Sequence, residues 1–157
     1  MKNTIGVFLV FLFISISSSC QIPMGKDINV GIKEVKLFMK NSGYTFYMEA
    51  QVYSKNIETG KCDVPDDYII RYKEEIQISL EKNNFDNING IVIDCNDQST
   101  EKELLNKLGR SNWEYLYSKS SWGEEKCYYY KIGNFFSIMC SNSSSFNFTR
   151  SIPPPDK

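Results

Sequence analysis

The segment that most constrains this chain is Cys127-Tyr-Tyr-Tyr-Lys-Ile-Gly-Asn-Phe-Phe-Ser-Ile-Met-Cys140. Gly133-Asn134 between two aromatic-rich runs predicts a two-residue hairpin turn. With Ile132 and Phe135 as the closing hydrogen-bonded pair, stepping outward places Cys127 opposite Cys140. Alternation of pair types makes this a non-hydrogen-bonded position, where Cα atoms approach to about 4.5 Å, within reach of a disulfide. A closed loop of this size contributes about 3 kcal/mol on the chain-entropy account. The bridge is expected if the protein is exported; otherwise both residues are buried free thiols.

Upstream, Thr100 and Glu103 have capping-box spacing, which predicts a helix start. Leu104, Leu105 and Leu108 then share one face, and Gly109 stands where a left-handed residue ends the helix. A polar connection holding Trp113, Tyr115, Tyr117 and Trp122 leads to the hairpin.

Over residues 99–140 the chain resembles the BamE (SmpA/OmlA) outer-membrane assembly lipoproteins and the related fold of the β-lactamase inhibitor proteins. The shared pattern is a capped helix ending in Leu108-Gly109, a variable loop, a strand over 128–130 and an antiparallel partner over 135–139. Ser111 stands where that family commonly has proline. The resemblance implies an envelope role, as a scaffold or assembly accessory, and its inhibitor side implies tight binding to one enzyme.

At the N-terminus, Lys2 precedes an almost wholly apolar run over 5–16 and then Ser17-Ser18-Ser19-Cys20. This is the three-part layout of a secretory signal and is too short for a membrane span. Small residues before cysteine suit lipoprotein processing, with Cys20 as the acylated first residue; plain cleavage nearby is the alternative. The chain has five cysteines, so assigning Cys20 to lipid leaves Cys62, Cys95, Cys127 and Cys140 as an even set. The preferred pairing is Cys62 with Cys95 and Cys127 with Cys140, because a helix over 66–82 and a returning strand put the first two at the same end.

The expected organisation is a signal over 1–19, a tether over 20–26, one domain over 27–150 and a flexible tail over 151–157. Within the domain, Val35, Leu37 and Met39 alternate with Lys36, Phe38 and Lys40, which predicts a strand ending at Asn41-Ser42-Gly43. The return strand over 44–53 would turn Tyr44, Phe46, Met48, Ala50 and Val52 to the core. Residues 66–82 fit both a helical stripe (Ile69, Tyr72, Ile76, Leu80) and a period of two; helix is preferred because a single strand of that length is uncommon. Residues 90–95 read as a short buried strand. No repeat at a fixed period is visible. The fold class expected is therefore α+β, with a small antiparallel sheet packed against two helices in a single domain.

The chain contains no histidine, which removes Ser-His and Cys-His nucleophile pairs and the commonest metal ligand. No phosphate-binding glycine motif appears, and the cysteines lack zinc-site spacing. Asp94, Asn96 and Asp97 suggest a calcium loop, but Leu105 occupies the position a bidentate glutamate would need. Glu74 with Glu75, and Glu124 with Glu125, read as surface charges. No catalytic residue, metal or cofactor is expected, and the chain is not read as an enzyme.

The 18 basic and 19 acidic residues form no basic stripe, so nucleic acid is not an expected partner. A protein partner is, with Trp113 and Trp122 as candidate contacts; closing the core is their alternative role. Asn142-Ser-Ser and Asn147-Phe-Thr fit the glycosylation acceptor pattern. The expectation is an exported, lipid-anchored, non-catalytic binding or scaffold protein of the cell envelope, facing periplasm or exterior. The alternatives are an inhibitor or immunity protein, or a eukaryotic secreted glycoprotein.

Overall fold

A computed structural model describes residues 22–52, 67–120 and 125–155. In chain order the elements are α1 (Ile28–Asn41), β1 (Phe46–Val52), β2 (Asp67–Tyr72), β3 (Gln77–Lys82), β4 (Ile88–Asp94), α2 (Gln98–Lys107), β5 (Glu114–Ser120), β6 (Lys126–Ile132), β7 (Phe135–Cys140) and β8 (Ser145–Thr149). The strands form one sheet in the order β1-β2-β3-β4-β8-β7-β6-β5, antiparallel at every pairing. This corrects the expected small sheet packed on two helices: an eight-stranded sheet dominates and the helices are short. The chain also repeats its topology, a helix followed by a four-strand meander, twice over. The last strands of the two meanders, β4 and β8, pair at the centre. No sequence period betrays this, because the two halves share their plan and not their residues.

The first helix replaces the strand expected from alternation at Val35, Leu37 and Met39. Ile28, Gly31, Val35 and Met39 form its buried stripe, while Leu37 is 60% exposed. The deciding signal lies upstream, where the Asp27 carboxylate accepts from the N–H groups of Asn29 and Val30 at 2.9 and 3.3 Å and so satisfies two orphan donors of the first turn. At the other end Gly43, at φ 89°, supplies the left-handed residue that ends the helix. The helix expected over 66–82 is instead the hairpin β2–β3. Its turn carries no glycine, asparagine or proline, and Glu75 takes φ 57° there. A contact distant in sequence holds it: the Glu74 carboxylate accepts from the Thr45 N–H at 3.0 and 3.1 Å, and the Lys73 N–H donates to the Thr45 carbonyl.

The second helix lies where expected, with Leu104, Leu105 and Leu108 buried and Gly109 at φ 75°. Its cap is not the Thr100–Glu103 box. Asp97 caps it, accepting from the N–H groups of Ser99 and Thr100 at 2.7 and 2.9 Å. Glu103 instead pairs with Lys107 one turn on. The polar connection expected after α2 contains the edge strand β5. The other edge strand, β1, buries no residue, so the predicted core face of Phe46, Met48, Ala50 and Val52 is corrected. A register shift between Phe46 and Met48 breaks the alternation on which it rested.

Both helices cover the same face of the sheet. Val35 and Met39 from α1 and Leu104, Leu105 and Leu108 from α2 pack with Ile70, Ile78, Leu80, Ile91, Ile93, Phe146 and Phe148 in one core. Burying each such side chain contributes roughly 1.5–3 kcal/mol. Among the described residues no helix covers the opposite face.

Candidate binding face

Side chains alternate between the two faces along each strand, so the register fixes what the helix-free face presents. One line of partners crosses all eight strands: Ala50, Ile69, Ser79, Val92, Asn147, Ile138, Tyr129 and Tyr117. Seven strand spacings make this line about 34 Å long. Apart from Tyr129, its members are exposed or half-buried. A second line, two residues along each strand and three along β5 where the register shifts between Tyr115 and Tyr117, runs from Val52 through Asp67, Glu81, Gly90, Thr149, Phe136 and Lys131 to Glu114. The middle of the face is thus mainly apolar or small, and Asp67, Glu81, Lys131 and Glu114 give it a charged border. A dry centre with a polar rim is the usual layout of a protein-binding patch.

Among the described residues one hollow lies on this face and another at the β2–β3 turn beside it. A depression of about 230 Å³ lies among Val92, Ile138, Cys140, Ser143, Ser145 and Asn147. Beside it Asn147 Oδ1 is shielded from solvent and has no hydrogen-bond partner. Toward β1 a cleft of about 490 Å³ is lined by Tyr47, Arg71, Tyr72 and Gln77. Arg71 Nε donates to Gln77 Oε1 at 2.8 Å, which holds the guanidinium against the sheet.

The hairpin register is the one expected. Ile132 pairs with Phe135 and Cys127 with Cys140, and a disulfide joins the two cysteines across a Cα separation of 4.0 Å. The bridge lies on the helix-free face beside the depression, since Cys127 and Tyr129 are buried yet stand outside the core cluster. A Glu125 carboxylate oxygen lies within 4.8 Å of both sulfurs, but sulfurs joined to each other are not available as thiolates. Cys95 is a half-buried free thiol, and burial, with Glu101 and Asp94 nearby, pushes it up to about 12. That is the opposite of what an activated nucleophile needs. Its expected partner Cys62 lies outside the described residues, as does Cys20.

Trp113 sits on the helix side, 5.6 Å from the Phe148 ring and 6.3 Å from that of Tyr130, where it packs against the core. Trp122, its expected companion, is outside the described residues. Asp97 serves as a helix cap, and its hydrogen bonds from Thr100 hold its carboxyl below the usual range. Glu74 is held by Thr45, and Glu124 is not among the described residues. Asn142 is exposed in the turn after β7, whereas Asn147 lies mid-strand in the row just described. The sequence does not reveal the central row as a surface: Ile69 fits the helical stripe expected over 66–82, and residues 145–149 carry no strand expectation. The one legible signal was the alternation of Phe146 and Phe148 with Asn147, which sets Asn147 opposite the core. Comparison with protein-family models, curated proteins and solved structures finds no match for this chain.

Proposed function

We propose that this is an exported, lipid-anchored, non-catalytic protein that binds a protein partner of the cell envelope through the helix-free face of its sheet. One observation carries the reading: a row of largely apolar or small side chains, exposed or half-buried everywhere but at Tyr129, crosses eight strands on the face opposite α1 and α2. Hydrogen-bonded strands on a packed core hold such a row rigidly, so little ordering entropy opposes binding. The reading draws its compartment from the apolar leader before Cys20, and the Cys127–Cys140 bridge agrees with export. An inhibitor or immunity role is the second reading. The preformed face favours it, since rigid complementarity suits tight capture of one enzyme.

Intact mass of the protein from its native host, without reduction, tests the compartment. A diacyl or triacyl mass on Cys20 is expected; an unmodified, uncleaved N-terminus refutes anchoring. The binding face is tested by substitution. Val92→Arg puts a charge at the centre of the row and abolishes partner capture, while Leu37→Arg, on exposed α1 surface, leaves capture intact. A single stoichiometric partner identifies the inhibitor reading, and several partners the scaffold reading.

A further inference from the structure

Tyr129 is only 7% exposed, although it lies on the face that neither helix covers. The corresponding position in the first half, Ile69 on β2, is only half-buried. Neither α1 nor α2 provides that cover. Tyr117 supplies part of the cover, stacking on it with ring centroids 4.6 Å apart and planes inclined by 22°. The chain's own C-terminal segment reaches the same place. Thr149 Oγ1 donates to the Ser151 carbonyl at 3.2 Å, beginning the exit from β8. Ile152 is half-buried, and the Tyr117 hydroxyl donates to the carbonyl of Pro153.

The distances agree with a tail carried in an extended form. From β8 to β5 is three strand spacings, about 14 Å, and four residues of polyproline II helix span about 12 Å. Ile152-Pro153-Pro154-Pro155 also has matching chemistry. Prolines have no N–H to donate, so their carbonyls need outside donors, and a fixed φ makes the segment inexpensive to order. Proline-rich segments generally dock on aromatic-lined surfaces, and the Tyr117–Tyr129 pair supplies aromatic rings with a hydroxyl donor beside them.

We infer that the stacked pair Tyr117 and Tyr129 is a binding site for a proline-rich extended segment, occupied in this structure by residues 151–155 of the same chain. The tail is then a resident ligand held at the rim of the pair through the Pro153 carbonyl, with Pro153, Pro154 and Pro155 still exposed to solvent, and the β1–β4 half of the face is left open. This deepens the proposed function by naming the ligand class at one end of that face. Its test needs no partner, so its failure and the failure of the partner-binding reading are separately visible.

The experiment compares full-length wild type with the full-length variant Pro153→Ala/Pro154→Ala/Pro155→Ala. Tyrosine nitration by tetranitromethane is mapped by mass spectrometry, with circular dichroism confirming the fold of both proteins. Nitration of Tyr117 and Tyr129 is expected to rise at least about fivefold in the variant, because each alanine keeps the main-chain carbonyl but gives the undocked tail backbone freedom that it must lose on docking. Free peptide Ser-Ile-Pro-Pro-Pro-Asp-Lys should restore protection to the variant, and its all-alanine counterpart should not. Tyr117→Phe, which keeps the ring and loses the donor, should raise nitration of Tyr129 without changing the fold. Equal nitration of wild type and triple variant would overturn the tail's role. Failure of the peptide to protect, or equal protection by the alanine peptide, would overturn the proline-rich site.

Discussion

Replacing both bridge cysteines, Cys127→Ala with Cys140→Ala, should cost most of a kcal/mol-scale constraint on the unfolded chain. The cysteines are 13 positions apart, and closing a loop of about that size removes chain entropy worth about 3 kcal/mol. Cys127 is buried, so losing its sulfur adds about 1 kcal/mol of transfer and cavity cost. A loss of about 3–4 kcal/mol is thus expected, a large share of the roughly 5–15 kcal/mol that holds a typical domain. The assay is urea unfolding followed by tryptophan fluorescence under non-reducing conditions. With a slope of about 1–3 kcal/mol/M, the midpoint should fall by more than about 1 M. Reduced wild type should behave like the double variant. A loss below about 1 kcal/mol, with the bridge intact in wild type by mass, would refute the view that the bridge constrains a long-lived loop; the hairpin would then persist in the unfolded ensemble and make the bond redundant.

Further predictions concern the helices. In α1, a Cβ at Gly31 would lie 2.0 Å from Ile88 Cδ1, so Gly31→Ala should destabilise by about 1–3 kcal/mol less the roughly 1 kcal/mol that alanine returns in helix propensity. Adding Ile88→Val, which removes that methyl, should recover much of the loss in a thermal melt. Met39 and Leu104 are fully buried, and alanine at either should cost about 2–5 kcal/mol in urea titration. Asp27→Ala removes the α1 cap and should cost about 1 kcal/mol. Burial raises the pKa of Glu101, with Arg110 opposing, so the folded state binds its proton more tightly than the unfolded chain does. Its charged form therefore weakens the fold above the folded pKa, and the penalty fades as pH falls into the ordinary carboxylate range. Glu101→Gln should be more stable than wild type at neutral pH and converge with it in acid; equal stability at every pH would contradict this.

What the sequence disclosed followed from how local each signal was. The β6–β7 register was legible because a two-residue turn, strict alternation and a cysteine at each end all lie within one short segment. The α2 face was legible for the same reason, although the cap is Asp97 and not the expected Thr100. For α1, Val35 and Met39 satisfy both a strand and a helix period, and the glycine at 31 argues against helix unless the approach of Ile88 is known. The β2–β3 turn has no residue that advertises it, because Thr45, distant in sequence, stabilises it. Strand β8 is short and polar on one face, so little in it advertises a central strand, although Phe146 and Phe148 are among the most buried side chains. The candidate face was least legible. A line from Ala50 to Tyr117 exists only once seven pairings are in register, and no single segment carries that information.

The most direct test of the central claim is partner capture from the native host with three full-length proteins: wild type, Val92→Arg and Leu37→Arg. If the helix-free face is the binding surface, wild type and Leu37→Arg retain the same partner in the same ratio, and Val92→Arg loses it while remaining folded by circular dichroism. Undiminished capture by Val92→Arg, or loss with Leu37→Arg alone, would place the interaction elsewhere and contradict the claim.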